Sequence, residues 1–240
     1  MNPSWPKDQV MDETCWSDTE YCRTTEVSNL KMQIFVELVV LFYALYDTST
    51  LSEISCITVP KYRLCSNLSL ECLIKYSYQN WYYLSKTEAE REALELVKGS
   101  ELDVVSICPT LVLGPILRST VNASSLFLLR FLKEGLESVE NWLSWIVDVR
   151  DLAEALILAF EKPEAEGRYI CMSHMIKTES LVDMLKSEYP HYKYPKNFTE
   201  AQEEIRMSSE KLQRFGWSYR PLKDTIIDSV ESYRQAGLLD

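Results

Sequence analysis

Tyr82 and Lys86 stand four residues apart in the stretch NWYYLSKTEAEREALELVKGS, residues 80 to 100. In a helix that spacing stacks the two side chains on one face and brings an ammonium beside a phenol. An unperturbed tyrosine titrates near 10. A neighbouring cation favours the phenolate and lowers that value, so the phenol becomes a competent general acid toward a carbonyl oxygen. The lysine keeps hydrogen-bond donors to spare for nearby hydroxyls. The chemistry suggested is proton delivery to a carbonyl.

Tyr-x-x-x-Lys alone is a cheap pattern in a chain with 14 tyrosines. It recurs at Tyr189 with Lys193, Tyr192 with Lys196 and Tyr219 with Lys223, and each of those stretches holds a proline (Pro190, Pro195, Pro221) that spoils a regular helix. Only the Tyr82 stretch is free of proline and periodic: Tyr82, Lys86, Ala89, Ala93 and Leu96 fall on one expected stripe, with Glu88, Arg91, Glu92 and Glu95 off it. Gly99 supplies the helix stop. On spacing alone, a core tyrosine beside a snorkelling lysine remains the competing explanation.

The elements that must position this pair read as an α/β chain. LDVVSICPTLVLGP (102–115) reads as a buried strand running into a Pro- and Gly-punctuated loop, and NASSLFLLRFLKEG (122–135) as a helix capped by Asn122 and closed by Gly135. WIVDVRDLAEALILAFEKP (145–163) reads as strand then helix, with Asp148 or Asp151 capping and Arg150 as an ion-pair or capping residue. GRYICM (167–172) is a short strand; KTESLVDMLKSEYP (177–190), SSEKLQRFGW (208–217) and PLKDTIIDSVESYRQAGLL (221–239) are helices. Residues 1–26 read as an ordered surface loop, since their aromatics follow no helical or strand period. The apolar run MQIFVELVVLFYALY suits a buried helix or strand and is too short to span a bilayer. Around it, residues 27–79 give local signals that disagree with one another and read as an insertion without settled structure.

Composition narrows the partners. At 240 residues the chain is long enough for a sizeable core, as one large domain or one domain plus a small lobe. A net charge of −11 repels nucleic acid and anionic membrane alike, which leaves a small-molecule site open. The seven cysteines show no C-x-x-C spacing, so no zinc site is expected; scattered reduced thiols in a cytoplasmic protein is the favoured reading, with a Cys15–Cys22 pair open. Sequons at Asn67, Asn122 and Asn197 carry no weight without a leader, and MNPSWPKDQVMDE has no leader pattern. His174 as a pocket residue, and Trp142, Trp145, Phe127 and Phe131 as an aromatic wall, compete with plain structural roles.

NWYYLSKTEAERE, LDVVSICPTLVLGP, NASS, IVDVRDLAEALILAFEKPEAEGRYIC and SSEKLQRFGWSYRPLKDTIIDSVESY, in that order, closely resemble the plant cinnamoyl-CoA reductase and dihydroflavonol reductase family, within the extended short-chain dehydrogenase/reductases. NPSWPKDQVMDETCWSDTEYCRTTE looks like the family's segment just ahead of that helix. The resemblance covers residues 1–26 and 80–240. It implies an incomplete Rossmann-type parallel sheet over 1–26 and 80–115, an interleaved and mainly helical substrate lobe over 116–240, and 27–79 without family counterpart. It implies NADPH as hydride donor and a phenylpropanoid-like aldehyde, thioester or ketone as substrate. By position Tyr82 matches the catalytic acid and Lys86 the residue that tunes it and holds the nicotinamide ribose. Cys108, Pro109 and Val112 match the segment passing the nicotinamide, and Ser124 a residue close to the phosphates.

The departures are as informative. No glycine precedes Gly99, so the family's G-x-x-G-x-x-G turn is absent, as are the basic residue that reads the 2′-phosphate and the catalytic serine. ICP stands where many relatives have Asn-Pro. The expectation is therefore the later part of a reductase, with an intron-like piece translated between Glu26 and Asn80. Its alternatives are a remnant unable to bind cofactor and an epimerase or dehydratase on the same scaffold.

Overall fold

The computed structural model describes residues 9–24, 39–43, 78–98, 103–116, 121–201 and 205–240. Most of the expected insertion and the Gly99 helix stop lie outside the described residues. In chain order the elements are α1 (Thr19–Thr24), β1 (Val39–Tyr43), α2 (Tyr78–Leu96), β2 (Asp103–Pro109), β3 (Leu111–Leu113), α3 (Ala123–Lys133), β4 (Ser138–Asn141) and β5 (Leu143–Asp148). They continue with α4 (Val149–Glu161), β6 (Gly167–Cys171), β7 (His174–Lys177), α5 (Thr178–Glu188), β8 (Asn197–Glu200), α6 (Glu210–Arg214) and α7 (Leu222–Gln235). This is the expected α/β mixture. The described residues fall into two compact units: 16–24, 40–43, 78–98 and 103–105 in the first, and 9–15, 39 and those from Ser106 onward in the second, so that β2 is divided between Val105 and Ser106.

In the first unit α1 packs on α2. The loop expected before Glu26 thus contains a helix: Asp18 accepts the Tyr21 N–H at 2.8 Å and Glu20 lies in the first turn, a start signal too short to show a period. The stripe expected on α2 is rotated by about one residue. Tyr83, Leu84, Thr87, Glu90 and Ala93 are buried, whereas Ala89 is exposed and Leu96 is 69% exposed. Packing supplies the reason, because Tyr83 and Leu84 cluster with Cys22 and so decide which face turns inward.

The second unit holds the main core. Leu128, Leu129, Phe131 and Leu132 of α3, Leu181, Val182 and Leu185 of α5, and Ile226, Val230 and Tyr233 of α7 close on Leu111, Leu113 and Ile146 of the sheet. The run expected as a single strand over 102–115 is two strands that part company at Thr110. β2 neighbours β6, whereas β3 lies parallel to β5 (Leu111↔Ile146, Leu113↔Asp148) and β5 is antiparallel to β7. A parallel pair, β4 with β8, had no readable signal, since SVEN and NFTE are four residues each and largely polar. Asn122 caps α3 through the Ser125 N–H at 2.8 Å, and Gly135 follows the helix at φ +56°. Of the two candidate caps for α4, Asp148 is the one used.

Leu185 is fully buried and Ile157 is 54% exposed. Leu185→Ala is therefore expected to lower unfolding stability by about 2–5 kcal/mol, and Ile157→Ala to change it by no more than about 0.5 kcal/mol. Urea unfolding of both variants checks the placement of the core.

Candidate active site

The chemistry-bearing residues fall into two groups, one in each unit. In the first, α2 carries Tyr82 and Lys86 on one face, both half-buried at the margin of the Cys22–Tyr83–Leu84 cluster. The Lys86 Nζ lies 5.6 Å from the centre of the Tyr82 ring, within cation–π range. The Tyr82 ring meets Tyr83 edge-on at 5.9 Å, and Ser85 Oγ donates to the Tyr82 carbonyl at 2.8 Å. A polar pair at the edge of an apolar cluster is oriented by packing and still able to meet a ligand. The other three Tyr-x-x-x-Lys pairs lack this geometry: Tyr189 is the C-cap just past the end of α5, and Tyr192 and Tyr219 lie outside helices.

In the second unit, β2 ends on Cys108 and Pro109, both buried, and Cys108 Sγ is 3.6 Å from Ser106 Oγ. The next residue, Thr110, donates its N–H to the Cys171 carbonyl at 3.2 Å. Its hydroxyl is buried without a partner among the described residues. Val112, half-buried, sits opposite Val147. Ser124, in the first turn of α3, is fully buried and its Oγ also has no partner among the described residues. Buried orphan hydroxyls are costly, and two of them flank the β2–β3 segment and the start of α3.

The strongest electrostatic feature was only partly legible in the sequence. Asp148, at the end of β5, accepts the Arg150 backbone N–H at 2.8 Å and is gripped by the Arg150 side chain (Nε 2.9 Å, Nη2 2.8 Å) and by Arg220 Nη1 at 3.1 Å. Arg150 also reaches Asp228 of α7 at 2.6 Å, and Arg220 reaches Asp151 at 3.0 Å. Burial alone would push the Asp148 carboxyl up. Hydrogen bonds from the Arg150 side chain and backbone and from Thr225, with the Arg150 charge, outweigh it and hold the group below its ordinary 3.8. Asp151 goes the other way: burial raises it in spite of its Arg220 contacts. Arg150 was expected in an ion pair or cap and is in both. Arg220 had no sequence signal, being a loop residue between an aromatic run and Pro221. His174 is structural: its Nε2 lies 2.8 Å from the Arg220 carbonyl, and its ring meets Tyr219 edge-on. Phe131 and Trp145 are core residues rather than pocket walls, Trp145 packing with Ile170, Met172 and Met207.

A dinucleotide is normally cradled by a glycine-rich turn whose backbone approaches the pyrophosphate. The sequence holds no such turn. Gly114, the first described glycine, serves packing: at φ +121° a Cβ there would lie 2.9 Å from Val149 Cγ1 and 3.2 Å from Asp148 Oδ1. The residues present therefore do not form a pyrophosphate site. Among the described residues there is no group of three or more metal-type ligands, and no helix is long and apolar enough to cross a membrane.

The opposite shifts of the two aspartates predict opposite pH slopes. A depressed carboxyl contributes stability above its unfolded value and loses it as pH falls through the folded value. The stability deficit of Asp148→Asn should therefore be greatest near neutrality and shrink in acid below 3.8. A raised carboxyl gives its full contribution below its unfolded value and loses it as pH rises through the folded one, so wild type should lose ground to Asp151→Asn with rising pH. Denaturant unfolding across a pH series reads both.

No protein-family model matches the chain. A cinnamoyl-CoA reductase of Petunia hybrida is 29% identical over 243 aligned positions, covering all of this chain and 57% of the relative. A dihydroflavonol 4-reductase of Zea mays is 34% identical over 169 positions, covering 66% of this chain and 46% of its own length. The chain thus spans about half the length of the curated relatives it matches. Among solved structures, vestitone reductase from alfalfa aligns with a TM-score of 0.58 at 23% identity, over 68% of this chain and 54% of that one. Gre2 from Candida albicans, in complex with NADPH, aligns with a TM-score of 0.54 at 26% identity, over 65% and 52%. The chain is similar in sequence to the plant cinnamoyl-CoA and dihydroflavonol reductases, and its fold is that of their extended short-chain dehydrogenase/reductase group.

Proposed function

We propose that this chain carries the proton-delivery side of an NADPH-dependent carbonyl reductase of the cinnamoyl-CoA reductase and dihydroflavonol reductase type. Its substrate class is an aldehyde, thioester or ketone on a phenylpropanoid-like skeleton. The observation that carries the reading is the Lys86 ammonium 5.6 Å from the centre of the Tyr82 ring on a proline-free helix, in a chain whose relatives are named for carbonyl reduction. Tyr82 holds the proton destined for the carbonyl oxygen. Lys86 stabilises the phenolate left behind, which makes that proton easier to give. Cys108, Pro109 and Val112 are assigned to the segment passing the nicotinamide, and Ser124 to the phosphate end, by their match to the corresponding motifs of the reductase family. When bound, the nucleotide would supply hydride, held without a pyrophosphate turn among these residues.

That missing turn supports a second reading, a chain that retains the acid pair and does not bind cofactor. The two readings part on one titration. With affinity resting on the nicotinamide end alone, NADPH has to be supplied at millimolar concentration, and ligand binding to the native state raises the unfolding temperature. The reductase reading expects that rise, together with carbonyl-dependent NADPH oxidation that falls about 100-fold or more in Tyr82→Phe. No rise at millimolar NADPH selects the second reading. Oxidation unaffected by Tyr82→Phe removes Tyr82 from the reaction.

A further inference from the structure

The pairing of β3 with β5 stops at Leu113↔Asp148, so the backbone N–H groups that follow need other acceptors. Two serines one turn apart on α7 supply them. Gly114 N–H donates to Ser229 Oγ at 2.7 Å, and Ile116 N–H to Ser232 Oγ at 2.9 Å. These contacts join positions 115 and 116 residues apart in sequence. Ser229 is fully buried, and its hydroxyl proton is committed to the Thr225 carbonyl at 2.6 Å, so its lone pairs are turned to Gly114. The helix that presents both serines is itself anchored: Ile226, Val230 and Tyr233 lie in the core, and Asp228 is bridged by Arg150. Gly114 admits no side chain on the Asp148–Val149 side. The backbone is thus confined from one direction by α4 and hydrogen-bonded from another by α7.

We infer that Ser229 and Ser232 are positioning residues: they fix the outgoing end of the Pro109–Val112 segment, so that the C-terminal helix sets the wall offered to the nicotinamide. The link to the nicotinamide rests on the reading proposed above; the clamp on the backbone does not. An interior serine is a poor helix former, and two of them on one face of α7, each accepting a backbone N–H from a distant loop, have a use that helix propensity does not supply.

The test uses the whole chain and the variants Ser229→Ala, Ser232→Ala and Ser232→Thr, with Leu212→Ala as a buried variant outside the cluster that packs Ile116. Amide hydrogen exchange should quicken by about tenfold at Gly114 in Ser229→Ala and at Ile116 in Ser232→Ala. The Ser232→Thr variant, which keeps the hydroxyl, should retain protection. In thermal shift, the NADPH concentration giving the half-maximal effect should rise about tenfold in both alanine variants and stay put in Leu212→Ala, which is destabilised at a buried position outside the cluster that packs Ile116. Unchanged exchange at both amides overturns the clamp. Faster exchange with an unchanged NADPH response overturns the positioning role. A wild-type chain with no NADPH response but with the exchange differences intact overturns the reductase reading and upholds the clamp.

Discussion

The buried carboxylate of Asp148 is the constraint on which the second unit depends. A charge taken out of water is tolerated only with close partners and filled lone pairs, and Asp148 is 1% exposed. Its partners come from separate parts of the chain: Arg150 from the first turn of α4, and Arg220 from the loop leading into α7. Satisfying that one group fixes where β5 ends, where α4 begins and how the C-terminal segment returns. Arg150 continues the chain of charges to Asp228, so α7 is registered against the same point. Trp217 Nε1 donates to the Asp151 carbonyl at 2.8 Å, tying the aromatic run before Arg220 to the same helix start. The small size of Gly114 follows from this arrangement as well, since the Asp148 carboxylate and Val149 occupy the space a side chain would need.

Much of this was legible because local rules and tertiary packing agree. Asn122 and Asp148 are N-caps by residue type and by geometry, and the apolar spacing of α3, α5 and α7 matches the residues that close the core. Legibility failed where tertiary context chose among equal local options. The run DVVSICPTLVL is mostly apolar and gives no hint that Thr110 hands the chain from one sheet to another. Asp18 and Glu20 announce a helix too short to be periodic. Arg220 is invisible because a loop arginine acquires meaning only through carboxylates some seventy positions earlier. Ser229 and Ser232 look like ordinary polar positions on an amphipathic helix until the loop they hold is placed beside them.

The rotation of α2 bears on chemistry. Had Tyr82 been at the centre of the buried stripe, its hydroxyl would have needed a permanent protein partner and Lys86 would have paid a desolvation cost. With Tyr83, Thr87 and Glu90 taking the inward face instead, Tyr82 and Lys86 sit where apolar packing ends. The Tyr82 ring meets Tyr83 edge-on, and Lys86 stays half-buried beside it. That placement arises from a one-residue shift that periodicity alone does not resolve.

A residue pair suited to proton delivery and a pyrophosphate cradle leave different traces in a sequence, which explains how one can be legible without the other. Delivery needs two side chains on adjacent turns, and any well-packed helix supplies the geometry. The pyrophosphate cradle needs backbone conformations and close approach that only glycine permits, so its absence from a stretch without glycine is a steric statement as much as a pattern. Side chains cannot substitute for it at the same place, because a Cβ occupies the room the phosphate oxygens require. The contrast with Gly114 makes the point within this chain: there the missing Cβ is filled by Val149 and a carboxylate, which is packing and repels an anion. The Tyr82–Lys86 pair and the hydroxyl-bearing β2–β3–α3 segment are therefore readable in side chains alone, whereas a glycine turn is a backbone feature that none of its 240 residues provides.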